Sequence, residues 1–224
     1  MKYSFNKDKI LTIGILPVMW LIYFLFEVFS GRVNDLYTLV LNLCLTLVFA
    51  LTGWIIYKCN TKNPNGLNTK ILLTTFIILM LLDQGIKIII KIKFFHYYFE
   101  IIPNFLSFNP IINTQGSWLN ARFNFNISFP LLILINGISL MLFVEIYRYI
   151  KFRNGKSFWT DMCFLFIFAG ALCSFIDKVF YGGSLDFIGI SNLFIADLKD
   201  IYINLGLLFF IMSGYKSGFF SEED

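Results

Sequence analysis

Charge is scarce in this chain. Asp, Glu, Lys and Arg make up 14% of its 224 residues, against about 25% in a typical soluble domain. With 58% hydrophobic and 19% aromatic residues and a mean hydropathy of +0.73, the composition excludes an ordinary soluble globule. The alternating ten-residue segments of a membrane β-barrel are also missing. In their place stand apolar runs of about 20 residues, the length that crosses about 30 Å of hydrocarbon as helix. Histidine is nearly absent, and the single His96 argues against a His-based metal site. Cys44, Cys59, Cys163 and Cys173 form no C-x-x-C pair and lie mostly in apolar runs. Such cysteines serve as small core residues, not as disulfide or metal partners.

What is there is a series of helical spans. The first run, 10–29, follows Lys2, Lys7 and Lys9. It is too long for a signal-peptide core and has no small-residue cleavage site after it, so it reads as a retained span. Further spans fall at 36–57, 71–92, about 127–147, about 158–177 and about 198–215. A turn-rich polar linker, "KCNTKNPNGLNTK", separates the second from the third. The longest segment between spans, 93–126, is rich in Asn and aromatics, and its short apolar pieces are broken by turn residues. It predicts a few short strands, and Tyr97, Tyr98 and Trp118 suit a platform at the membrane interface. The expected fold is thus an all-α integral membrane protein of about six transmembrane helices with a small extracytoplasmic β platform. Its parts are a two-helix extension (1–69), a four-helix core (70–215) carrying the platform, and a tail (216–224).

The distribution of lysine and arginine orients the set. With the N-terminus inside, the cytoplasmic segments hold Lys2, Lys7 and Lys9, then Lys58, Lys62 and Lys70, then Arg148, Lys151, Arg153 and Lys156. The first and third outside loops hold only Arg32 and Lys178, while the platform carries Arg122 and is flanked by Lys91 and Lys93. Both termini are expected in the cytoplasm.

Carboxylates in so apolar a chain need a reason. From Phe158 to Asp177 the fifth span advances about 28 Å, which puts Asp177 at the extracytoplasmic boundary. The sixth span starts near Asp197 and runs back, so Asp197 shares that depth. Asp83 is expected roughly two turns deeper, paired with Lys87 one turn along its helix. The plain alternative for Asp177 and Asp197 is that they merely end their helices at water. Asp161, Asp186 and Asp200 read as boundary or loop acids. Two carboxylates held close share a proton, so that one acts as base and the other as acid near neutral pH. That equipment hydrolyses an amide with water.

Four blocks resemble signal peptidase II, the lipoprotein signal peptidase, an intramembrane aspartic protease of bacteria. "DQGIK" (83–87) resembles its D-x-x-x-K, and "NTQGSW" (113–118) its N-x-G-x-x-[FW] platform motif. "GALCSFIDKVFYGGSLDF" (170–187) is similar to G-G-A-x-G-N-x-x-D-R followed by G-x-V-x-D-F, and "FIADLKDIYINLG" (194–206) to F-N-x-A-D-x-x-I-x-x-G. The resemblance covers about 70–214 and leaves the first two spans unexplained. It implies catalytic roles for Asp177 and Asp197, substrate contacts from Asn113, Gly116, Ser174 and Lys178, and structural roles for Asp83, Lys87 and Asp186. It also implies cleavage of diacylglyceryl-modified prolipoproteins before the lipidated cysteine, without metal or cofactor. The expected partners are lipid-modified prolipoprotein and membrane lipid, not nucleic acid, in the bacterial cytoplasmic membrane.

The chain departs from the resembled pattern at four places. Ser174 and Phe194 stand where the motifs have asparagine, Lys178 replaces arginine, and "NTQG" is one residue longer than N-x-G. Phenylalanine neither donates nor accepts a hydrogen bond. The departures therefore predict a slow peptidase in which Ser174 or Gln115 supplies part of the lost contact, and Phe194→Asn raises the rate. Phe194 also leaves room for a non-catalytic relative that binds lipoprotein or lipid. A transporter is a more distant reading, because spans one, two, four and six lack a midplane acid.

Overall fold

The computed structural model describes residues 7–114 and 127–218. Among the described residues six α-helices alternate in direction: α1 (Lys7–Phe29), α2 (Leu36–Lys62), α3 (Thr69–Ile89), α4 (Phe129–Asn154), α5 (Phe158–Tyr181) and α6 (Leu198–Lys216). Each matches an expected span to within a few residues, except that α2 and α4 run five or more residues longer at the Lys- and Arg-bearing end. The first five are long and apolar enough to cross a membrane. α6 has 19 residues, about 28 Å of helix, and carries Lys199 and Asp200 in its first turn.

Local chemistry sets where these helices start and stop. The Asp35 side chain accepts the Thr38 N–H at 2.7 Å and Asn68 accepts that of Lys70 at 3.0 Å. The Ser157 hydroxyl accepts the Thr160 N–H at 3.1 Å. Each is a side-chain oxygen satisfying a first-turn donor. α5 ends at Gly182, which takes a left-handed φ of 66°, a conformation that a side chain disfavours.

Large apolar side chains such as Leu47, Leu81 and Met141 point outward, as lipid-facing helices require. Inside, Leu16 of α1 meets Phe158, Trp159 and Cys163 of α5 and Leu208, Phe209 and Met212 of α6. α5 and α6 approach closely because Gly206 has no side chain. A Cβ there would lie 2.4 Å from Ile167 Cγ1 and 3.1 Å from the Ile167 backbone nitrogen, so the contact is of the small-residue type that lets spans pack backbone to backbone.

The two ends of the bundle differ. At one end Asp8 pairs with Lys216 at 2.5 Å, and Asp161 accepts from Leu67 N at 3.0 Å and Tyr147 Oη at 2.9 Å. Asp161 thereby ties the α2–α3 linker, α4 and α5 together, a structural part. At the other end lies a four-stranded antiparallel sheet in the order β1-β2-β3-β4. Its strands are β1 (Phe99–Ile102), β2 (Leu106–Asn113), β3 (Ser184–Ile190) and β4 (Phe194–Ala196). A π-helical turn, Ile90–Phe94, leads from α3 into it.

β1 and β2 fall inside the segment expected to form strands. β3 and β4 do not, and they complete the sheet: Asn113 pairs with Ser184, Phe108 with Ile188, and Gly189 with Ile195. They escaped the sequence reading because β3 is buried along consecutive residues from Ser184 to Phe187. That burial removes the inside–outside alternation by which a strand is recognised. Gln115, Gly116, Trp118 and Arg122 lie outside the described residues.

Candidate active site

Four elements converge where the bundle meets the sheet. α5 brings Asp177 in its last turns. The short β3–β4 hairpin returns the chain so that Asp197 becomes the N-cap of α6. α3 supplies Asp83, Gln84 and Lys87, and β3 supplies Ser184 and Asp186.

Asp197 is fixed by its own helix. Its carboxylate accepts the Asp200 N–H at 3.3 Å, while the Asp200 carboxylate accepts the Asp197 N–H at 3.1 Å. This reciprocal cap satisfies two donors at once, so Asp200 is a positioning acid for the residue three before it. The free end of Asp197 then faces Asp177. The Lys87 ammonium lies 2.7 Å from Oδ2 of Asp177, 2.7 Å from Oδ2 of Asp197 and 2.8 Å from Oδ2 of Asp83. One cation thus gathers three carboxylates, all of them fully buried.

Asp83 is not two turns below the pair. The Lys199 N–H, two residues past Asp197, donates to Asp83 Oδ1 at 3.1 Å. Counting residues assumes upright helices that begin at one depth. Packing decides the depth instead, and the Lys87 side chain spans the remaining distance.

The polar shell comes from residues that the sequence reading did not assign to the site. Gln84 Nε2 donates to Asp177 Oδ1 at 3.1 Å and to Asp83 Oδ2 at 3.0 Å. Ser184 Oγ lies 3.2 Å from Asp177, 3.2 Å from Asp197 and 2.6 Å from Asp186. The Lys199 ammonium is 2.5 Å from Asp197 Oδ2 and 3.5 Å from Asp186 Oδ1. A signal for Lys199 was present, since a lysine inside the first turn of a span must find a buried partner. Asp186, Asp197 and Asp200 each place a carboxylate oxygen within 4.8 Å of the others, a spacing that suits a cation. Lys199 brings its ammonium to two of the three.

Asn113 donates to Asp186 Oδ2 at 2.9 Å, which links the platform strand β2 to the acid cluster. Burial pushes the Asp186 carboxyl above the usual carboxylate range, with Lys199 and Ser184 opposing. Ser174 and Lys178 lie one turn apart on α5, and the lysine donates to the serine hydroxyl. Ser174 thus accepts from Lys178 and keeps its own O–H to donate. Gln115 and Gly116, also expected near substrate, lie outside the described residues. Phe194 packs edge-on against α1, its ring centroid 5.4 Å from Tyr23 and 6.2 Å from Trp20.

The charge count bears on chemistry. Asp83, Asp177, Asp186 and Asp197 are buried and Asp200 is half-buried, against buried Lys87, Lys178 and Lys199. Acids outnumber cations. In a water-poor site that excess favours keeping a proton somewhere in the cluster over full ionisation of all five acids.

A family described as signal peptidase (SPase) II matches residues 75–216. The lipoprotein signal peptidase of Staphylococcus epidermidis is 32% identical over 162 residues, covering 68% of this chain and 93% of that protein. That of Staphylococcus aureus is 29% identical over 158 residues, covering 67% and 90%. Among solved structures, a bacterial membrane enzyme determined by the in meso method at 2.3 Å superposes with a TM-score of 0.57. It shares 21% identity, with 72% of this chain and 97% of that chain covered. A second, at 1.9 Å, gives 0.55 at 22% identity. At those identities the structural likeness speaks for the fold.

Proposed function

The chain belongs to the signal peptidase II family, and from that premise we propose that Asp177 and Asp197 are its catalytic acids, acting on lipid-modified prolipoproteins. Family members cleave signal peptides from prolipoproteins, and this chain is a membrane peptidase of that class. The observation that carries the assignment is the shared ammonium: Lys87 holds one oxygen each of Asp177 and Asp197 at 2.7 Å, inside the matched segment.

In the proposed reaction one of the two carboxyls, ionised, takes a proton from water as that water attacks the scissile carbonyl. The other, protonated, donates to the carbonyl oxygen and stabilises the tetrahedral intermediate. Collapse of the intermediate breaks the C–N bond, and a carboxyl returns a proton to the leaving amine of the lipidated cysteine. Lys87, Gln84 and Ser184 hold the acids in orientation. Asp83 and Asp186 anchor those holders. Asn113, Gly116, Ser174 and Lys178 are assigned to the substrate backbone, and the diacylglyceryl chains to the apolar helix faces. Within this reading 1–69 is an extension, 70–215 the core and 216–224 a tail.

A purified preparation in detergent tests the activity directly. With a diacylglyceryl-cysteine signal peptide it releases the signal fragment. A preparation that binds the peptide without cutting it would support the lipoprotein-binding alternative instead.

We place the protein in the bacterial cytoplasmic membrane with both termini cytoplasmic and the acid cluster at the extracytoplasmic face. The supporting observation is the concentration of Lys and Arg at the Asp8–Lys216 end of the bundle. In a variant lacking the native cysteines, a membrane-impermeant thiol reagent added to intact cells labels Asn104→Cys, in the β1–β2 turn, and spares Asn63→Cys at the end of α2. Labelling of the latter reverses the orientation.

A further inference from the structure

The family match begins at residue 75, so α1 and α2 are additional to it, and they do not stand apart from the core. Arg32, in the α1–α2 turn, reaches the β3–β4 turn. Its guanidinium donates to Asn192 O at 3.0 Å and Leu193 O at 2.6 Å, and pairs with Glu27 at 3.0 Å. The Asn42 side chain of α2 donates to Ser191 Oγ at 3.1 Å, and the Asn42 backbone carbonyl accepts from Trp20 Nε1 at 2.9 Å. Trp20 and Tyr23 then close on Phe194.

The hairpin under this contact is short and strained. Ser191 holds a φ of +48°, a left-handed conformation that a side-chain-bearing residue adopts only when its surroundings impose it. β4 has three residues, and the residue after it is Asp197. A shift at Leu193 or Phe194 is therefore delivered to the carboxylate with almost no intervening chain to absorb it.

We infer that the α1–α2 hairpin is a built-in clamp that positions Asp197 by gripping the β3–β4 turn, with Arg32 and Phe194 as its positioning residues. The inference rests on the assignment of Asp197 as catalytic. It reverses the meaning of the phenylalanine: in place of a lost polar contact, Phe194 is the apolar seat of the clamp. Arg32 suits the latch because its planar fork serves two backbone carbonyls and a carboxylate at once. Glu27, fully buried, keeps that fork aimed.

The test uses the full-length protein in detergent with a diacylglyceryl-cysteine peptide, and compares wild type with Arg32→Gln, Arg32→Lys and Phe194→Asn. Loosening the turn lowers kcat by roughly 10- to 100-fold, the scale on which ångström misplacement acts, and leaves KM near wild type. Arg32→Lys, which keeps the charge and loses the fork, falls between. Amide exchange gives the readout that general destabilisation would not reproduce. Protection is lost at 190–197 and kept around Leu208 and Met212. Wild-type kcat in both Arg32→Gln and Phe194→Asn overturns the clamp. So does a loss of activity accompanied by uniform deprotection, which marks a merely structural contact. An active Asp197→Asn, or an inactive wild type, instead overturns the catalytic assignment. The exchange comparison then still decides the clamp, since unchanged protection at 190–197 refutes it.

Discussion

Asp177→Asn and Asp197→Asn each abolish cleavage of a lipidated prolipoprotein peptide, and the double substitution is hardly worse than either single. Each change removes one half of a unit in which a base activates water and an acid protonates what leaves. General acid–base groups contribute about 10²- to 10⁴-fold apiece. Groups that act together lose their combined effect when either is removed, so the losses do not add. The substitution is nearly isosteric, and it lowers the excess of carboxylates over lysines in the cluster. Each variant therefore inserts and folds as well as wild type, with a thermal midpoint in detergent that does not fall. If one of the two retained near-wild-type turnover, that residue would be a helix-ending acid and the shared position on Lys87 a structural coincidence.

Part of this acid cluster is legible in the sequence. Span lengths placed Asp177 and Asp197 at one depth because both lie at helix ends, where a count of residues from the nearest boundary is short and errors stay small. The same count misplaced Asp83. Its distance from the pair is settled by helix packing and by the reach of a lysine, neither of which is written in residue spacing. Gln84 and Lys199 were visible as polar residues inside spans, yet which acid each would meet depends on α3 lying against α5 and α6. β3 was hidden because burial on both faces erased its alternation. Phe194 was noticed only as a motif departure. Its role needed α1 beside it, and nothing in the sequence near 194 points to Trp20 or Tyr23.

Lys87→Met unfolds or severely weakens the core. Methionine keeps an unbranched stem of similar length and removes only the ammonium, so packing along α3 is little changed and the effect is electrostatic. Asp83, Asp177 and Asp197 then face one another with Lys199 as their nearest cation. Lys199 reaches Asp197 at 2.5 Å but Asp177 only at 3.6 Å, and it offers Asp83 its backbone N–H, not its charge. Breaking a buried ion pair by deleting one partner costs about 3–5 kcal/mol. At about 2–4 °C per kcal/mol for a chain of this size, the midpoint in detergent drops by roughly 6 to 20 °C. Adding Asp83→Asn removes one of the stranded charges and recovers part of that drop. It does not restore cleavage, because Ser184 and Lys199, which still touch both acids, do not replace the ammonium that holds one oxygen of each at 2.7 Å. A Lys87→Met protein that melts like wild type would mean that the three acids do not depend on this ammonium, and the charge argument for a proton kept in the cluster would fail with it.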